Sequence, residues 1–281
     1  MNILIAGPWL GEYGYELCKW IPHIRYKVWQ DDYDHVIIIC RSGHEYLYRD
    51  FATKFYNDNM VGQTTEWLID GKSPEIKQEI IDKIIQYYNN PRYTIIQPSK
   101  DIRKNEEVFF VMYGEIKNTV EPIDILIHAR STKKYNTGYR NWPKSRWQEI
   151  IKKYPEYKFA SIGSMAESEH ILKTIDLRGI TVNKLCGYMK KAKMLLSPSS
   201  GPAHLASLCG LPHIVWTDNK IHGVIGMHTN NDRYKRLWNP FNSLVNVIDK
   251  SWQPSVSEVS ERMKSILNHK KIIRTNTNKT I

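Results

Sequence analysis

The stretch Leu195-Leu196-Ser197-Pro198-Ser199-Ser200-Gly201-Pro202-Ala203-His204-Leu205-Ala206 constrains this chain more than any other. Its apolar start reads as a buried strand, its Ser/Gly run as a turn, and Pro202 as a residue just inside a helix, where a missing N–H is harmless. A strand that turns tightly into a helix aims free backbone N–H groups outward, with the positive end of the helix dipole behind them. Gly201 removes the Cβ that would keep a ligand at a distance. Such a turn suits a phosphate, and the ligand favoured is one that carries a diphosphate. An ordinary strand-to-helix connection with a serine cap fits the same letters.

Apolar strands and amphipathic helices alternate along the whole chain, which predicts parallel sheets with crossover helices, an α/β architecture. Strands are expected at 2–6, 35–40, 93–97 and 108–112, and helices at 15–29, 44–55 and 74–88. Residues 57–71 show no clean period and read as a strand-and-loop excursion, and 100–107 as a polar connector. The later strands fall at 124–129, 158–163, 193–197 and 213–217, and the later helices at 145–153, 167–173, 182–191, 202–209 and 255–268. The pattern breaks between Gly114 and Pro122. The expected domains are therefore 1–118, Rossmann-like and on the acceptor side; 119–250, Rossmann-like and nucleotide-binding; and 251–281, a helix closing across both domains, with a basic tail.

A second apolar strand, Ile123-Asp124-Ile125-Leu126-Ile127-His128-Ala129-Arg130-Ser131-Thr132, ends in hydroxyl and cationic side chains. Beyond it, Arg140-Asn141-Trp142-Pro143 precedes Trp147, Ile150 and Ile151 at helical spacing. Two strand ends on one side of a parallel sheet, one bearing Ser131, Thr132 and Arg140 and the other the 199–201 turn, converge on one crevice. Open α/β sheets bind ligands in that place.

The order of these segments, with Lys158-Phe159-Ala160-Ser161-Ile162-Gly163 and Asp176-Leu177-Arg178-Gly179 between them, resembles the C-terminal half of the heptosyltransferase-like (glycosyltransferase family 9-like) proteins, over residues 123–217. The resemblance implies a GT-B-like fold, two Rossmann-type domains with parallel sheets facing a central cleft, and an inverting, metal-independent glycosyltransferase. It implies that Ser131, Thr132 and Arg140 hold the donor diphosphate with the backbone around Ser199, Ser200, Gly201 and His204. Glu167 or Glu169 would lie near the nucleoside. The family commonly carries an acidic residue where this chain has Ser199.

The N-terminus adds a candidate base. The strand Asn2-Ile3-Leu4-Ile5-Ala6 runs into Gly7-Pro8-Trp9-Leu10-Gly11-Glu12-Tyr13-Gly14-Tyr15-Glu16, whose glycines permit tight geometry facing a ligand. The resemblance implies a Gly-acid pair here, with the acid as general base and a Leu-Pro in the following helix, which Ile21-Pro22 echoes. Glu12 and Glu16 compete for that role. Glu12 is preferred because it directly follows a glycine, whereas Glu16 also suits the helix start. Trp9, Gly11 and Tyr13 flank the base on the acceptor side; with Tyr15, the aromatics read as a stacking wall or, more simply, as core.

Inverting transfer requires a base to take the acceptor proton and a positive environment for the departing diphosphate. Cationic side chains and amides can supply the second, at about 2.7–4 kcal/mol each by analogy with oxyanion donors. Asp32-Tyr33-Asp34 has the spacing of a metal-holding pair, but it stands between a helix and a strand and reads as a solvated turn. The loop 218–238, with His222, His228, Arg233 and Arg236, reads as a lid over the donor or as a surface excursion. His128 and His204 suit either a ligand or packing, and Trp142 and Trp147 suit packing.

The chain of 281 residues, 41% hydrophobic, can bury one large core or two modest ones. No apolar run approaches the roughly 20 residues of a membrane span, and the start lacks the plan of a signal peptide. A cytoplasmic chain is expected, with peripheral contact at the inner face of a membrane compatible, or the host cytoplasm for a viral protein. Cys18, Cys40, Cys186 and Cys209 are scattered among apolar neighbours and read as free thiols, with no metal site. No cofactor is expected beyond the nucleotide sugar as co-substrate.

The formal charge of +11 favours anionic partners: the nucleotide sugar, a glycan or glycolipid acceptor, and DNA as second choice. Abundant Ile, Asn, Lys and Tyr also fit an AT-rich genome, and the tail 269–279 a frayed end. Three functions follow. The first is hexosyl or heptosyl transfer to a saccharide or glycolipid. The second is glycosylation of hydroxymethylated DNA bases, and the third a noncatalytic nucleotide- or nucleic-acid-binding module.

Overall fold

The computed structural model describes residues 1–57, 76–99, 107–115, 120–132, 138–222 and 229–277. The chain divides into two compact units, Met1–Val111 with Thr181–Asn183, and Met112–Ile180 with Lys184–Ile281.

In the first unit, β1 (Asn2–Ala6), β2 (His35–Cys40), β3 (Lys54–Asn57) and β4 (Arg92–Ile96) form a sheet of order β3-β2-β1-β4, parallel throughout. β1 is central, and every residue from Ile3 to Ala6 is buried, as in a sheet covered on both faces. Ile3, Ile5, Ile37 and Ile39 share one face and cluster with Ile81 and Ile84. Burial of each such side chain contributes about 1.5–3 kcal/mol. The helix α1 (Ile21–Gln30) carries its proline in the first turn, and α2 (Gln78–Tyr87) supplies Ile81 and Ile84.

In the second unit, β5 (Ile125–Ile127), β6 (Phe159–Ser161), β7 (Ile175–Asp176), β8 (Met194–Pro198), β9 (His213–Trp216) and β10 (Val245–Ile248) form a second all-parallel sheet, ordered β10-β9-β8-β5-β6-β7. The helices here are α3 (Lys144–Lys153), α4 (Val182–Lys191), α5 (Gly201–Leu208) and α6 (Val256–Thr277). Trp142 meets Trp147 edge-to-face at 4.8 Å and lies 5.1 Å from Trp216. Val259, Met263 and Ile266 of α6 belong to the same core. The expected α/β class with parallel sheets is the one found.

Several elements differ from expectation. Residues 44–55 form a single 3-10 turn, Glu45–Leu47, and then β3, because Thr53 exchanges hydrogen bonds with Val36 (2.8 and 3.0 Å) and draws the chain to the start of β2. The expected strand at 108–112 joins no sheet; Phe109 N–H donates to the Pro22 carbonyl and its own carbonyl accepts from Arg25, both on α1. Residues 167–173 are turns, because Ser131 and Glu169 N–H donate to the Glu167 and Ala129 carbonyls and pair this loop with the end of β5. The helix at 15–29 starts at Tyr13 and passes through a π-helical turn, Glu16–Trp20. β7 and β10 were not anticipated. Expectations for 58–71 and 100–106 lie outside the described residues.

All four cysteines are buried free thiols, and burial pushes Cys18 up to about 12. Among the described residues no helix is long and apolar enough to cross a membrane.

Gly7 fixes where the loop leaves β1. Its φ is +121°, its N–H donates to the Ile96 carbonyl at 3.0 Å, and a Cβ would stand 2.1 Å from the Ile39 carbonyl oxygen. Gly7→Ala is expected to lower stability by about 3 kcal/mol or more, read as a lower urea midpoint; an unchanged midpoint would contradict this packing.

Candidate functional site

The second sheet reverses its order between β5 and β8. The chain moves outward through β6 and β7, then returns to the other side of β5 and continues through β9 and β10. The connections that leave these two adjacent strands therefore run in opposite directions, the switch-point topology at which open α/β sheets take ligands. Ser131, Thr132 and Arg140 follow β5, and Ser199, Ser200 and Gly201 follow β8. The structure brings Arg140 and Ser199 together: Arg140 Nη2 donates to the Ser199 carbonyl. The Arg140 guanidinium lies 4.3 Å over the ring of Trp252, a residue that sequence reasoning did not single out.

The turn into α5 is held from behind. Ser200 precedes the helix with extended backbone (φ −165°) and makes no side-chain cap. Its Oγ lies 2.9 Å from both His128 Nδ1 and Ser197 Oγ, while Ser197 donates its own proton to the Pro198 carbonyl at 2.7 Å. These contacts share protons in one order: His128 Nδ1–H to Ser200, Ser200 to Ser197, Ser197 to Pro198. The Ser200 hydroxyl is thus used internally. Among the described residues the N–H groups of Ser200 and Gly201 donate no hydrogen bond, and Pro202 has none to donate. Both amides are thus left without a hydrogen-bond acceptor among the described residues.

Electrostatics at the turn favour an anion. Burial pushes the His204 imidazole down to about 3, helped by His213, Arg140 and Arg233, so it is neutral near pH 7 while both arginine charges reach it. His204 stacks on Tyr234 (5.3 Å, 9° between planes) with Trp238 edge-on at 4.7 Å, and its Nδ1 is buried with no hydrogen bond. Tyr234 in turn bonds Ser199 Oγ at 2.6 Å. His204 is thus packed at the helix start. Arg233 is buried against Trp238, Arg236 is exposed, and His228 lies outside the described residues, as does the His222 side chain.

Asn141 ties the two flanks of 133–137. Its Nδ2 donates to the Thr132 carbonyl at 3.0 Å, and its Oδ1 accepts from Arg130 at 2.6 Å. Ser131 Oγ donates to Glu169 at 3.1 Å, and Glu167 is half-buried beside the same loop. Gly163, at φ +123°, leaves room for His128 and Ser168, which a Cβ would meet at 2.7 Å. Asn141 and Tyr234 were missed because each acts through one hydrogen bond across a long sequence separation, which leaves no local pattern.

On the first unit, the C-terminal ends of β1 and β2 carry the other candidates. Glu12 is exposed at the helix start; its carbonyl accepts from Trp9 Nε1 and Glu16 N–H. Glu16 is fully buried and makes no cap. Burial would raise its pKa, but His44 first, then Arg41 and Tyr48, outweigh burial and hold the carboxyl below its ordinary value. Trp9 has no exposed surface and stacks on Trp20 at 5.9 Å, so it packs core and offers no wall to a ligand. Gly11 is buried and its carbonyl accepts from Arg41; Tyr13 is half-buried against His44. Asp34 lies at the opposite end of β2, where Oδ2 accepts from Asn2 N–H at 2.6 Å, and the Asp32 carbonyl accepts from the Asn2 side chain. Among the described residues no group of three or more His, Cys, Asp or Glu could hold a metal ion.

The sequence matches no protein-family model and no curated protein. Solved structures do match. E. coli ADP-heptose LPS heptosyltransferase II superposes with a TM-score of 0.60 at 11% identity, covering 96% of this chain and 100% of that one. A glycosyl transferase family 9 protein from Veillonella parvula gives 0.58 at 11%, covering 95% and 97%. E. coli heptosyltransferase WaaC, solved with ADP, gives 0.52 at 9%, covering 95% and 100%. At these identities the likeness is one of fold: this chain has a GT-B-like α/β fold, similar to that of heptosyltransferases, as its ordered motifs implied.

The buried histidines make stability depend on pH. Burial pushes His128 to about 3, as it does His204, and His213 to about 4. In the unfolded chain each titrates at about 6.5. The folded values are depressed, so the unfolded state binds more protons below that pH, and stability falls as pH drops toward the folded values. Each histidine contributes about 1.4 kcal/mol per pH unit within the window. The urea midpoint is expected to fall from about pH 7 to about pH 5, less so in His204→Gln; equal midpoints would show that these imidazoles are not neutral and buried.

Proposed function

We propose that this chain is an inverting, metal-independent glycosyltransferase, which moves a sugar from a nucleoside-diphosphate sugar to a hydroxyl of a saccharide or glycolipid acceptor. The observation that carries the reading is the turn after β8: the N–H groups of Ser200 and Gly201 are without partners among the described residues, at the switch point of the sheet and under the charges of Arg140 and Arg233. In this reading the donor diphosphate sits on the turn, with Ser131, Thr132 and His204 around it and Glu167 toward the nucleoside. When the anomeric C–O bond breaks, the leaving oxygen gains charge, and the arginine and the amides stabilise it without reorganising. That role is the one a divalent cation fills in other phosphate chemistries.

The acceptor is received on the first unit, by the loop that carries Gly11, Glu12 and Tyr13. Glu12 is the carboxylate there with solvent access, and Glu16 the one without. The fold shared with heptosyltransferase II and with WaaC supports the transferase class. The Arg140→Ala variant is expected to raise the Kd for nucleoside diphosphates about ten- to hundredfold, a loss of about 1.4–2.7 kcal/mol. Titration calorimetry with ADP, UDP and GDP checks it, and unaltered affinity would remove Arg140 from the donor site.

A further inference from the structure

The loop after β2 lies against the loop after β1. Arg41 donates to the Gly11 carbonyl, and the Tyr13 ring meets His44 edge-on at 5.2 Å. The buried carboxylate of Glu16 accepts from His44 Nδ1 at 2.9 and 3.1 Å and from the Tyr48 hydroxyl at 2.8 Å. A carboxylate that holds one imidazole nitrogen fixes the tautomer, with the proton on Nδ1 and a lone pair on Nε2. The His44 side chain is 17% exposed. Its Nε2 makes no hydrogen bond among the described residues and is not one of their buried unpartnered atoms, so it reaches solvent. His44 stands beyond the carboxyl end of β2, on the loop that meets Gly11 and Tyr13 of the loop after β1. Glu16 also opens the π-helical turn Glu16–Trp20, a departure from α-geometry that concentrates at functional sites.

The geometry points to His44 as the catalytic base of the transfer, with Glu16 and Tyr48 as its positioning residues. This inference rests on the glycosyltransferase reading and adds which group takes the proton. In the step, the acceptor oxygen forms its bond to the anomeric carbon while its proton passes to His44 Nε2. The bond from that carbon to the diphosphate oxygen breaks, and its electron pair leaves with the nucleoside diphosphate. Glu16 stays a carboxylate and stabilises the imidazolium; the proton returns to water on product release. An imidazole lone pair within reach of an attacking hydroxyl is the commonest proton acceptor in general base catalysis.

Two measurements on the full chain test the inference. The first is release of nucleoside diphosphate from a panel of ADP-, UDP-, GDP- and dTDP-sugars, with water as acceptor. His44→Gln is expected to lower kcat about 10²- to 10⁴-fold with KM held, and added imidazole to restore at least about tenfold of the loss in His44→Ala. Glu16→Gln should lower kcat as well, with partial recovery in Glu16→Asp. A wild-type rate in His44→Gln overturns the inference and leaves the transferase reading standing; a wild-type chain that turns over no donor overturns both. The second is 15N imidazole NMR of the wild-type chain, with His44 assigned by its loss in His44→Gln. A proton on Nδ1 with Nε2 bare is expected near neutral pH, and a proton on Nε2, alone or together with one on Nδ1, overturns the inference whatever the turnover, including where a variant fails to fold.

Discussion

The bond from the Arg140 guanidinium to the Ser199 carbonyl joins two chain segments that are distant in sequence and adjacent in the sheet. β5 and β8 are hydrogen-bonded neighbours, which sets their ends about 4.8 Å apart, and the connections leave those ends in opposite directions. A topological switch point is the result. Arg140 crosses it, with Trp252 under its guanidinium, and brings a permanent charge to a turn whose Ser200 and Gly201 N–H groups donate no hydrogen bond among the described residues. His128 holds the same turn from the sheet side through Ser200. The turn is thus tied by a hydrogen bond on each flank.

The two units handle buried titratable groups in opposite ways. In the second, His128, His204 and His213 have no carboxylate partner among the described residues, and burial keeps each neutral. The charges of Arg140 and Arg233 beside His204 are then not joined by that of an imidazolium. In the first unit, Glu16 stays ionised in full burial, because an imidazole N–H and a phenol O–H satisfy its oxygens. A buried carboxylate saturated in this way is poorly suited to accept a proton itself. It is well suited to orient the imidazole it holds.

Strand identities and the β8–α5 turn were legible because they depend on local letters. β1 and β2 are runs of isoleucine and leucine, and α4 occupies the residues its period marks. Misreadings occurred where a distant partner took the backbone. Thr53 is drawn to Val36, Phe109 to α1, and the loop at Glu167 and Glu169 to the end of β5. None of these contacts leaves a periodic signal, so propensity alone chose wrongly. At the site, Ser199 to His204 and Arg140 could be picked from sequence order. His44, Asn141, Tyr234 and Trp252 could not, since each becomes relevant only through a contact with a residue from another loop. Trp9 shows the converse: an aromatic beside a candidate base invites a binding role, and its complete burial removes that role.

In the proposed function the turn after β8 grips a diphosphate with backbone amides, aided by Arg140. A crystal structure of the full chain with ADP or UDP tests it most directly. The account predicts diphosphate oxygens within hydrogen-bond reach of the Ser200 and Gly201 N–H groups and next to the Arg140 guanidinium. A nucleotide bound elsewhere on the chain, with that turn free of phosphate, would contradict it.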